Sequence, residues 1–117
     1  MTARLYGPDG KLKRKIRIRN TVTTAGKNDS ADQLLASPSA AKPGWMAVGT
    51  GTPTGTLLGA EIARVAFDSK TRNNNVVTMI ATFGAETGTG AITEAGTFNV
   101  VTANSPDMYT SASFSVI

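Results

Sequence analysis

The chain has 117 residues, 40% of them hydrophobic and 17% charged, which suits one domain built around one modest core. It contains no cysteine and no histidine, which removes disulfides, thiolate nucleophiles, the usual zinc sites and the commonest general base. The net charge of +4 is unevenly placed: residues 1–19 hold seven Lys/Arg against one acid, and the rest hold five against seven. Basicity is therefore a feature of the N-terminal segment, not of the body.

Read in order, "YGPDG" (6–10) is dense turn chemistry that delivers the chain into "KLKRKIRIR" (11–19). A helix would scatter those cations, whereas a strand sorts them by alternation. The expected strand sets Lys11, Lys13, Lys15, Arg17 and Arg19 on one face. Leu12, Ile16 and Ile18 turn to the core, with Arg14 alone breaking the apolar side. Ser30 and Gln33 have capping-box spacing, which predicts a short helix from Ala31 to Ala36, stopped at Ser37-Pro38. "SPSAAKPG" then reads as a surface loop. Trp45 to Val48 reads as a short apolar strand, with Trp45 as a core anchor.

The "GTGTPTGT" run (49–56) reads as a wide, flexible connector. It lacks the sixth-position glycine of a dinucleotide loop and the Gly-Lys-Ser/Thr of a P-loop, and no helix follows to hold an anion. Glu61 to Asp68 reads as a strand and "SKTRNNN" as a polar turn. "VVTMIATF" reads as a buried strand returning as a hairpin, with Val77, Met79, Ala81 and Phe83 on one face. "ITEAGTFNVV" is the next strand. After "ANSPD" the last one alternates Ala112, Phe114 and Val116 with serines. Regularly spaced strands with turns between them predict an all-β chain, an antiparallel β-sandwich or barrel-like domain with one short helix.

No catalytic constellation emerges. The eight carboxylates form no convincing acid/base pair, so no enzyme, cofactor or metal site is expected. Glu61 and Arg64, three apart in one strand, should point to opposite faces and pair with neighbouring strands. Glu94 is the expected partner of Arg64, and all three read as framework ion pairs. The basic strand has three readings: docking on an acidic protein surface, nucleic-acid binding, or a solvated edge in which lysines deter aggregation. Five like charges exceed what an edge needs, and the segment lacks interleaved aromatics for base stacking, Tyr6 being the nearest. No apolar run approaches the roughly 20 residues of a membrane span. No apolar core follows the N-terminal charges as in a signal peptide, so a soluble protein without membrane attachment is expected.

From residue 18 onward, "NTVTTAG" (20–26), "ADQLLA" (31–36), "WMAVGTGT" (45–52), "LLGAEIAR" (57–64) and "ITEAGTFN" (92–99) occur in a distinctive order. Together they resemble a module found in structural proteins of tailed bacteriophages. The resemblance implies a β-sandwich domain (20–117), preceded by the basic N-terminal arm and strand (1–19) read above, with Glu61, Arg64 and Glu94 as framework. It implies a non-enzymatic virion subunit, assembled in the host cytoplasm. Such a subunit would be multi-copy and homo-oligomeric, bound to a major capsid or tail protein. Assembly on the capsid, as decoration, or on the tail is the first expectation and a tail-fibre or baseplate attachment module the second; a small basic nucleic-acid-binding β-barrel is the rival of another class. Related chains continue past "SFSVI" into one more strand, so an open edge filled by a neighbouring subunit is expected.

Overall fold

The computed structural model describes residues 1–7, 9–17, 21–85, 87–103 and 107–116. In chain order the elements are β1 (Thr2–Tyr6), β2 (Leu12–Arg17), β3 (Thr21–Val22), α1 (Thr24–Asp32), β4 (Trp45–Gly49) and β5 (Glu61–Ala66). They are followed by β6 (Ser69–Asn73), β7 (Val76–Ile80), β8 (Glu94–Phe98) and β9 (Met108–Ser113). The fold is all-β with one helix, and every strand pairing is antiparallel. A five-stranded sheet runs in the order β3-β9-β8-β4-β5, and two separate hairpins, β1-β2 and β6-β7, accompany it.

The sheet's core face follows from its register. Trp45 stands opposite Phe98, and two residues on, Ala47 stands opposite Gly96. A bulge in β9 advances the pairing from Thr97↔Thr110 to Phe98↔Met108, which turns Met108 onto the same face as Phe98. Ala47, Phe98 and Met108 are fully buried there, Leu58 from the β4-β5 loop covers them, and Trp45 packs alongside. Gly96 is required in this row because a Cβ would fall 2.6 Å from the Met108 sulfur. The sheet's other face carries Ala95, Thr97, Thr110 and Ala112, all buried, with Thr97 and Thr110 joined through their hydroxyls at 2.8 Å.

The helix begins earlier than its expected span. Thr23 is its N-cap, accepting the Gly26 N–H at 2.9 Å, and its hydroxyl also donates to the Met108 carbonyl. Gly26 lets the first turn press onto β9, where a Cβ would lie 2.1 Å from the Tyr109 carbonyl oxygen. That contact and cap outweigh the Ser30/Gln33 spacing. Ser30 instead hydrogen-bonds the Tyr109 hydroxyl, and Leu34 and Leu35 lie beyond the helix, 88% and 61% exposed.

The "SKTRNNN" segment is also corrected, since its first five residues form β6 and only Asn74-Asn75 make the turn. Asn74 takes the positive φ (55°) that asparagine tolerates. In consequence β7 returns along β6 rather than along β5, and it is mostly exposed, not buried. Strand β5 stops at Ala66, short of the expected Asp68.

Candidate assembly surface and the Glu94 node

The basic segment forms the second strand of a hairpin whose first strand, β1, pairs Thr2↔Arg17, Ala3↔Ile16, Arg4↔Lys15 and Leu5↔Arg14. Lys11, Lys13, Lys15 and Arg17 are all exposed, and among the described residues none of their side chains meets a carboxylate. Arg19 and Ile18 lie outside the described residues, as does the side chain of Ile16. The single-face arrangement does not survive in full. A bulge at Lys13 brings Leu12 opposite Tyr6, so alternation is unbroken only from Arg14 to Arg17. By register Lys15 and Arg17 share their face with Arg4, Tyr6 and Leu12. Leu12 is 51% exposed and not turned into the sheet's core. Arg4 joins the cationic set only through pairing across the hairpin, and the sole hint of it was that "YGPDG" could close a turn with a strand on each side. Arg14 donates to the Val116 carbonyl at 3.2 Å, linking hairpin and C-terminal segment.

Glu94 is fully buried and does not pair with Arg64. Strand β4 lies between β5 and β8, so the two residues are not on adjacent strands. The Glu94 carboxylate accepts three backbone N–H groups: Gly51 at 2.8 Å, Gly59 at 2.6 Å and Ala60 at 2.8 Å. The expected flexible connector is thereby a tied loop. Its approach depends on glycine: a Cβ at Gly49 would lie 2.5 Å from both the Ala60 carbonyl and a Glu94 oxygen. Thr93 completes the knot, with its N–H on the Gly49 carbonyl and its hydroxyl on that of Gly51. The "GTGT", "LLGAE" and "TEAG" motifs are one physical cluster. A buried charge satisfied by fixed peptide dipoles is a structural solution, with all three donors already used.

Arg64 pairs with Glu61 of its own strand at 2.7 Å, both side chains being 2% exposed. Opposite faces were expected, but β5 bulges: Val48 pairs with Ala63 and Gly49 with Glu61, leaving Ile62 unmatched. The extra residue turns Glu61 onto the Arg64 face. The guanidinium makes two contacts to the carboxylate, donates to the Val100 carbonyl at 3.0 Å, and lies 3.7 Å over the Phe98 ring. The framework assignment of Glu61 and Arg64 fits this geometry, with the partners redrawn.

Three further carboxylates gather beside α1. Asn99 donates to Asp107 at 2.6 Å and to Asp29 at 3.5 Å. Burial, then the neighbouring Asp107 charge, pushes the Asp29 carboxyl above its ordinary value. Asp32 is held below it, chiefly by the Ala40 N–H at 2.8 Å. Among the described residues no group of three or more acidic side chains is placed to hold a metal, and no helix is long and apolar enough to cross a membrane. Comparison of the chain with known protein families, curated proteins and solved structures returns no match.

Proposed function

We propose that the chain is a non-enzymatic structural subunit of a tailed-phage particle, a small multi-copy component whose basic hairpin docks on an acidic neighbour. The observation that carries this reading is the division of labour among the charges. Glu61, Arg64 and Glu94 are consumed inside the sheet, whereas Lys11, Lys13, Lys15 and Arg17 stand exposed on a hairpin without carboxylate partners among the described residues. Uncompensated like charge on one ribbon costs self-repulsion, which a complementary surface relieves. The ordered motifs that resemble phage modules support the particle context, with a place on the capsid or on the tail.

One observation favours the rival reading. Tyr6, 56% exposed, shares the hairpin face of Arg4, Lys15 and Arg17, where a base could stack. The test is the combined variant Lys13→Glu, Lys15→Glu and Arg17→Glu, produced in infected cells and scored by copy number in purified particles. Loss of incorporation with the isolated protein still folded supports docking. Incorporation at wild-type copy number refutes it, and normal incorporation with loss of DNA retention supports nucleic-acid binding.

A further inference from the structure

A groove of about 590 Å³ runs between the two hairpins, over the face of the five-stranded sheet opposite Phe98 and Met108. Its floor is Met46, Ala95 and Ala112 with the paired hydroxyls of Thr97 and Thr110. Along one wall lie Arg4 and Arg17, the cross-strand face of the basic hairpin. Along the other lies every residue of β7 from Val76 to Ile80. No Asp or Glu lines it among the described residues.

Strand β7 is the end strand of its sheet, with β6 on one side and no described strand on the other. The two-residue turn makes Asn73↔Val76 a hydrogen-bonded pair. Alternation along the ladder then aims the N–H and C=O groups of Val77 and Met79 at the open edge. Val76, Val77 and Ile80 are 59%, 55% and 51% exposed, and β7 has no charge, proline or bulge to discourage pairing. An unprotected strand edge, an apolar and hydroxyl floor and two arginines with no carboxylate partner among the described residues thus border one groove.

The geometry points to an extended acidic segment of a partner protein as its occupant, pairing with β7 as a third strand and setting carboxylates against Arg4 and Arg17. This rests on the reading of the basic hairpin as a docking surface and names what that surface receives. A second copy of this chain fits poorly: its β6-β7 hairpin would bring Lys70 and Arg72 against Arg4 and Arg17. A nucleic acid has phosphates for the arginines but no backbone amides for the edge of β7.

The test is an NMR titration of the full chain with a capped heptapeptide, Thr-Glu-Val-Glu-Val-Glu-Thr, and with its Lys-for-Glu counterpart. Only the acidic peptide should bind, and the Val77 and Met79 amides should gain protection from exchange. The pair Arg4→Glu and Arg17→Glu should weaken binding at least about tenfold, the loss of a charge-assisted contact. Val77→Pro, which deletes one outward N–H while leaving the cations, should weaken it comparably. The protection measurement on the unmodified chain stands even if that variant loses its hairpin. Acidic-peptide binding that ignores β7 overturns strand addition but leaves the basic-hairpin reading intact. Overturning results also include concentration-dependent self-association through β7, and tighter binding of a thymidine oligonucleotide to the same arginines. If the peptide binds as described yet the charge-reversed protein enters particles normally, the groove stands and the particle reading fails.

Discussion

The Glu94 node and the basic hairpin treat charge in opposite ways. At the node a carboxylate is wholly removed from water and every near donor is aimed at it, so its position is fixed by β4, β8 and the 49–60 loop together. On the hairpin, cations stand in solvent on two strands that, among the described residues, pair only with each other. A buried charge is tolerated only when satisfied internally, whereas an exposed one remains available to another molecule. The sheet therefore carries stability and the hairpins are left for contact.

The sharpest way to break that division is Glu94→Ala. It strands three N–H groups at roughly 1–3 kcal/mol each, partly offset by the relief of a buried charge. A loss of about 4 kcal/mol or more in urea unfolding is expected. Arg64→Ala comes next. It leaves Glu61 buried without its cation and bares the Phe98 ring, which should cost about 3–5 kcal/mol in the same measurement. Gly49→Ala pushes a methyl group against Glu94 and should cost about 1–3 kcal/mol as overpacking.

By contrast, the combined change of Lys13, Lys15 and Arg17 to glutamate should leave the midpoint within about 1 kcal/mol of wild type, because exposed charges contribute little. Asp29→Asn sharpens the picture at the small end. A raised carboxyl pKa means the folded state disfavours the ionised form. Its stabilising contribution is complete below the unfolded value and lost as pH rises through the folded one. Near pH 7 the variant should melt slightly higher, by a few degrees at most, with no gain well below the ordinary aspartate range.

β4 and β8, the latter buried on both faces, stood out as short runs between turn-rich stretches, while alternation made β9 legible because every second residue is buried. Alternation failed where a bulge inserted a residue. Ile62 in β5 put Glu61 and Arg64 on one face, and Lys13 in β2 broke the cationic row. Such insertions are set by pairing partners far away in the chain. The helix was misplaced because Ser30 and Gln33 satisfy a local rule, while Thr23 and Gly26 answer to the Tyr109 strand. The expected Glu94–Arg64 pair is absent because the partners of Glu94 are backbone amides, which carry no side-chain signature. The glycines of "GTG" and "LGA" were the only trace of them.

Native-state hydrogen exchange on the isolated chain tests the division between sheet and hairpins most directly. The amides of Gly51, Gly59 and Ala60 should exchange as slowly as those of β8, through global unfolding, despite lying in a glycine-rich loop. The amides of β1-β2 and β6-β7 should exchange far faster, through local opening. Equal protection of the hairpins and β8, or rapid exchange at the three loop amides, would contradict the account.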